Sequence, residues 1–157
     1  MKLLFLCTAN SCRSILSEAL FNHLAPEGMR AYSAGSQPKG EVNPQALAAL
    51  GRAGVNTSGL SSKGSEQHIE LEPDVVITVC DKAAGDACPV FFGPALKAHW
   101  GLADPSEPSV NPAQGDAAFD ATVAIISTRL SAFFAAQPDS LDPRALQAEL
   151  NRIAHLS

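Results

Sequence analysis

Cys7 and Arg13 have five residues between them, and Ser14 follows at once. A thiol, a guanidinium and a row of backbone N–H groups at the start of a helix enclose a volume suited to an anion with tetrahedral oxygens. In such a setting a cysteine pKa can fall to roughly 3.5–7.5, which makes the thiolate available as a nucleophile. Arg13 supplies a planar fork for two oxygens of that anion. Ser14 can donate a hydrogen bond to the Cys7 sulfur, which stabilises the thiolate and later eases its departure. Asn10 tolerates left-handed backbone geometry and can tie the loop down so that its N–H groups converge. The oxyanion-binding set is therefore Thr8, Ala9, Asn10, Ser11, Cys12, Arg13 and Ser14.

The flanking segments explain how these residues would be held. Residues 2–6 are apolar on both faces beyond Lys2, the pattern of a central parallel strand. From about Ser14 to Leu24, apolar residues recur at helical spacing. A second short strand is expected over Met29–Ala34, ending at Gly35. Asn43-Pro44 is a helix start with a cap and a first-turn proline, and that helix ends near Gly51 or Gly54. Residues 56–65 read as a loop, and Ser65–Leu71 as a short helix. Asp74–Cys80 is a β-branched, buried strand that ends in a cysteine, as the first one does. A small, polar loop containing Cys88 follows, then a strand over about Lys97–Leu102 that leads to Asp104-Pro105. Helices are expected over Asp116–Ala136 and from Pro143, capped by Asp142, with 138–142 as a linker.

Strands alternating with helices imply an α/β fold: one domain over residues 1–157, a parallel four-stranded sheet with helices on both faces, and residues 137–157 as a linker and additional C-terminal helix. Ligands of such sheets bind beyond the carboxyl ends of the strands. Cys7, Cys80 and Asp104 each follow an expected strand, so chain order puts them on one rim.

Composition narrows the partners. A net charge of −5 disfavours nucleic acid and anionic membranes. Any anion site must then be locally positive, which adds weight to Arg13 and the helix end. With 46% hydrophobic and 17% charged residues the chain is globular in character, and no uninterrupted apolar run is long enough to cross a bilayer. The N-terminus lacks the features of a signal peptide, so a cytoplasmic location is expected, where thiols stay reduced. In that compartment four cysteines (Cys7, Cys12, Cys80, Cys88) point to catalysis, redox chemistry or metal binding rather than a disulfide framework. Their spacing fits no compact zinc site, and Arg13 would repel the ion. His23, His68, His99 and His155 show no ligand spacing.

The run Cys7-Thr8-Ala9-Asn10-Ser11-Cys12-Arg13-Ser14 resembles the phosphate loop of the low-molecular-weight protein tyrosine phosphatase superfamily. Tyr32-Ser33-Ala34-Gly35, Asn43-Pro44, Val79-Cys80, Cys88-Pro89, His99-Trp100-Gly101 and Asp104-Pro105 extend the likeness. Within the superfamily, the thioredoxin-coupled arsenate reductases are the more similar branch, because of Cys80, Cys88 and the His-Trp-Gly run. The resemblance implies Cys7 as nucleophile, Arg13 as oxyanion clamp and Asp104 as general acid. It also implies a thiol relay through Cys80 and Cys88, arsenate as substrate, and thioredoxin as source of electrons, with no bound cofactor and no catalytic metal. Cys12 is given a structural role. A tyrosine phosphatase is the alternative; such enzymes carry aromatic residues near the Asp-Pro, whereas Ala103, Ser106 and Glu107 stand there in this chain. Some of these reductases also have a monovalent-cation site at positions like Asn10, Glu18 and Ser33. The fourth, usually acidic, position is Lys63 in this sequence, so no potassium requirement is expected. His99 is expected to support the Asp104 loop, and Trp100 to lie in the core.

Overall fold

The computed structural model describes residues 1–7, 10, 12–35, 37–64, 71–79, 95–102, 105 and 112–156. Four strands, β1 (Lys2–Cys7), β2 (Arg30–Gly35), β3 (Val75–Thr78) and β4 (Leu96–His99), form one sheet in the order β2-β1-β3-β4. All three pairings are parallel. The described helices are α1 (Arg13–Leu24), α2 (Pro44–Arg52), α3 (Pro112–Ala135) and α4 (Pro143–Ile153), with a 3-10 turn at Pro138–Ser140 inside the expected linker.

The central position of β1 follows from its apolar run, since a strand paired on both edges and covered on both faces must bury every side chain. Leu3 to Cys7 are at most 5% exposed. Burying a leucine or phenylalanine fully stabilises by roughly 1.5–3 kcal/mol relative to exposure. Side chains alternate along the strand. Leu3, Phe5 and Cys7 join Val75 and Ile77 in a core cluster that includes residues of all four described helices. Leu4 and Leu6 join Ala34 and Val76 in a second buried cluster on the other face. The helix expected over 65–71 lies, except for Leu71, outside the described residues.

The expected elements are present with shifted ends. β1 runs one residue further, because Cys7 still pairs with Gly35. Arg13 rather than Ser14 opens α1, with Cys12 at the N-cap. β4 is shorter than its expected span, yet the Trp100 N–H donates to the Thr78 carbonyl (2.8 Å) and the Leu102 N–H to the Val79 carbonyl (3.0 Å), so the chain follows β3 as far as Leu102. α3 starts a turn early at Pro112, a residue suited to a first helical turn because it has no N–H to leave unpaired. The two anticipated caps form: Asn43 accepts from the Gln45 N–H (2.8 Å) and Asp142 from the Ala145 N–H (2.7 Å). At the sheet edge, the Asn22 side chain donates to the Ala31 carbonyl and accepts from its N–H, which satisfies main-chain groups that an edge strand leaves open.

Within α3, Gly115–Ala135 is long and apolar enough to cross a membrane. It carries Asp116, Asp120 and Arg129, and its Phe119, Ile126, Leu130 and Phe133 belong to the core cluster. It packs against α1, α2 and α4.

Candidate active site

Cys7 ends β1 and is 4% exposed; Cys12, at the N-cap of α1, is 5% exposed. Between the two in the chain lies Asn10. Its φ is 47°, in the left-handed region that asparagine tolerates better than most residues. Its side chain is completely buried and uses both ends. Nδ2 donates to Ser14 Oγ (2.8 Å) and to Ser33 Oγ (3.0 Å), while Oδ1 accepts from the Lys63 N–H (2.8 Å). The loop is thus tied to α1, to β2 and to the chain at Lys63. Ser14 Oγ accepts from Asn10 and keeps its own hydrogen to donate.

α1 begins without a side-chain cap from Cys12 and without an acidic residue in its first turn. First-turn N–H groups have no intrahelical acceptor, and the helix end carries about half a positive charge. With Arg13 as first helical residue, two sources of positive potential coincide at the end of β1. Arg13 Nη1 donates to the Leu102 carbonyl (3.0 Å), which anchors the guanidinium to the chain beyond β4. The Val79 N–H donates to the Leu6 carbonyl (2.9 Å). The chain at Val79 therefore lies beside the strand that ends in Cys7.

Of the expected residues, Cys7, Asn10, Cys12, Arg13 and Ser14 come together in this corner. Thr8, Ala9, Ser11, Cys80, Cys88 and Asp104 lie outside the described residues. His99 Nδ1 is 2.7 Å from Thr78 Oγ1 on the sheet. The Trp100 indole is in the core as expected, with its ring centroid 6.4 Å from that of Phe5 and 6.2 Å from that of Phe133.

Behind Asn10 the polar network continues. Ser33 donates to Glu18 Oε1, and the Lys63 ammonium is 3.6 Å from the same oxygen and donates to the Ser61 carbonyl (2.7 Å). The Lys63 carbonyl accepts from the Gly35 N–H (2.9 Å), and Gly64 bridges Gly35 in parallel fashion. The loop expected over 56–65 thus docks on the end of β2. The cation in this network is a side chain of the protein. The Lys63 ammonium thus stands beside the Glu18 carboxylate, next to Ser33 and Asn10.

A model of the family described as low molecular weight phosphotyrosine protein phosphatase matches residues 2–150. The chain belongs to this family. The match runs from β1 into α4 and so spans the corner built by Cys7, Asn10 and Arg13. Among its relatives, the arsenate reductase of Staphylococcus xylosus is 38% identical over 102 residues, which is 65% of this chain and 76% of that protein. A solved arsenate reductase in its phosphate-binding state superposes with a TM-score of 0.71 at 26% identity, covering 86% of this chain and 97% of the other. A thioredoxin-dependent arsenate reductase from Corynebacterium glutamicum gives 0.68 at 27% identity, covering 89% of this chain and 63% of that one.

Proposed function

We propose that this protein is a thioredoxin-coupled arsenate reductase, with residues 1–157 acting as one catalytic unit in the reducing cytoplasm. The corner at Cys7 and Arg13 explains recognition of a tetrahedral oxyanion but does not distinguish reduction from hydrolysis. The observation that carries the choice is the presence of Cys80 and Cys88, in a chain whose relative from Staphylococcus xylosus is an arsenate reductase. A hydrolase needs a nucleophile, a clamp and an acid; two more thiols give it nothing. A reductase must deliver two electrons, and thiols can supply them.

In this reading the Cys7 thiolate attacks arsenic(V) and an arsenate oxygen leaves as water, protonated by Asp104. The Cys80 thiolate then attacks the Cys7 sulfur. The sulfur–arsenic bond breaks, its electron pair goes to arsenic, and arsenite departs from a Cys7–Cys80 disulfide. Cys88 attacks Cys80 in turn, which frees the Cys7 thiolate and leaves a Cys80–Cys88 disulfide for the thioredoxin dithiol to reduce. The hydrogen bond from the Val79 N–H to the Leu6 carbonyl supports this order, since it brings the chain preceding Cys80 alongside the end of β1.

The test is arsenite production with thioredoxin, thioredoxin reductase and NADPH. Cys80→Ser and Cys88→Ser are expected to stop multiple turnover while keeping hydrolysis of an aryl phosphate, a weak activity expected from the shared cradle. Wild-type arsenate turnover in both variants would defeat the relay and leave the phosphatase reading.

The Lys63–Glu18 pair leads to a second expected result. Reductase activity should be equal, within about twofold, in sodium and potassium buffers of the same ionic strength, because the ammonium already supplies the charge Glu18 requires. A strong potassium requirement would overturn this account of Lys63.

A further inference from the structure

Trp100–Leu102 carries the backbone from the end of β4 to the active corner. Three sets of hydrogen bonds hold it. Along the sheet, the N–H groups of Trp100 and Leu102 donate to β3 and the residue after it. Toward the site, the Leu102 carbonyl accepts from Arg13 Nη1 (3.0 Å). On the opposite side, the carbonyls of Trp100 and Gly101 both accept from Arg129 Nη1, each at 3.1 Å, and Arg129 Nε donates to the Leu156 carbonyl (2.9 Å). The Trp100 indole adds a bond of 2.9 Å from Nε1 to the Leu150 carbonyl in α4.

Arg129 is 7% exposed, and these acceptors are all backbone carbonyls. Burial lowers its pKa from the ordinary arginine value. Placing a guanidinium there costs desolvation energy that an apolar side chain of similar length would avoid. What the guanidinium does, and an apolar chain could not, is fasten the 100–101 backbone to the C-terminal segment through rigid, directional donors.

We propose that Arg129, assisted by the Trp100 indole, is a positioning residue for the oxyanion clamp. It braces residues 100–102 against α4 and its C-terminal end, so that the Leu102 carbonyl holds the Arg13 guanidinium in one orientation. The C-terminal segment is in this way a structural part of the anion site. The inference rests on the reading of Arg13 and Cys7 as an oxyanion site, but holds whether that site reduces arsenate or hydrolyses phosphate esters.

The experiment is calorimetric titration of the full-length protein with inorganic phosphate, alongside thermal melts, for wild type, Arg129→Met, Arg129→Lys and Trp100→Phe. Arg129→Met is expected to bind phosphate about tenfold more weakly at a temperature where it is folded, because a small misplacement of a binding group is expensive. Arg129→Lys keeps the charge and can reach one carbonyl pair, and should recover most of that affinity. Trp100→Phe, which loses the tie to Leu150 together with part of the buried ring, should weaken binding by about threefold where it is folded. A folded Arg129→Met protein with a lowered melting temperature and phosphate affinity within about twofold of wild type would overturn the proposal and leave Arg129 a purely structural residue. Should Arg129→Met fail to fold, Trp100→Phe decides: phosphate binding weakened about threefold in the folded variant supports the brace, and binding unchanged from wild type overturns it. Wild-type protein that does not bind phosphate would instead refute the reading of the site, and the inference with it.

Discussion

Replacing Cys7 by serine is expected to abolish arsenate reduction and aryl phosphate hydrolysis together, each by on the order of 10³-fold or more, while phosphate binding and fold persist. The reasoning is local. Cys7 is the last residue of β1, 4% exposed, and packed in the core cluster on the α1 face of the sheet. Serine is smaller, so the strand should tolerate it. The groups proposed to hold the anion, Arg13 and the first turn of α1, do not depend on the sulfur. A hydroxyl at this position cannot ionise near neutral pH, so the covalent step is lost and the binding step is kept. The measurement is a pair of steady-state assays with a phosphate titration and a circular dichroism spectrum of the same sample. Retained turnover of either substrate would remove Cys7 from the mechanism. This differs from the effect of Cys80→Ser or Cys88→Ser, which should spare hydrolysis; the contrast among the three separates the shared cradle from the reductive half of the reaction.

The second large effect belongs to Asn10. Asn10→Ala removes hydrogen bonds to Ser14, Ser33 and the Lys63 N–H at once, in a completely buried position. Each buried bond is worth about 0.5–1.5 kcal/mol net, and an unsatisfied partner costs more. Alanine must also hold a φ of 47°, at a cost of about 1–2 kcal/mol. A loss of ~2–4 kcal/mol of stability is expected in urea denaturation, since the chain relaxes in part. kcat/KM should fall by about 100-fold, because Asn10 no longer ties the corner to Ser14 on α1 and to the Lys63 main chain. Asn10→Gly separates the two causes: it loses the same bonds without the backbone strain, and should be more stable than Asn10→Ala by about 1 kcal/mol. Equal stability of the two variants would show that the left-handed backbone stores no strain. Near-normal kcat/KM in both would show that the network does not shape the site.

The two predictions differ in how far each was legible from residue order. The thiol and guanidinium at Cys7 and Arg13, with an apolar strand before them and an amphipathic helix after, form a local pattern. Five residues between strand and helix can only be a tight loop, and its chemistry follows from its residue types. The left-handed tolerance of Asn10 is legible in the same way. Its three partners are less so, because the Lys63 N–H is 53 positions away and Ser33 is 23. The resemblance pointed to Asn10, Glu18, Ser33 and Lys63 as neighbours; that Lys63 contributes both its ammonium to Glu18 and its main chain to Asn10 and Gly35 is visible only in the fold. Nothing in the sequence singled out Arg129. One arginine among the apolar residues of a long helix reads as a solvated position, and only packing shows it buried on three carbonyls.

The sequence by itself determined the parallel α/β sheet, the corner between β1 and α1, and the chemical kinds of group that meet there. These are properties of periodicity, capping and short spacing, which act within a few residues of chain. The tertiary structure decided what holds that corner in place: Arg13 on the Leu102 carbonyl, 89 positions away, Arg129 bracing the same segment, and Lys63 closing the network behind Asn10. Such contacts depend on how strands register and helices dock. They are made by ordinary residues whose types carry no signal until packing brings them within hydrogen-bonding distance.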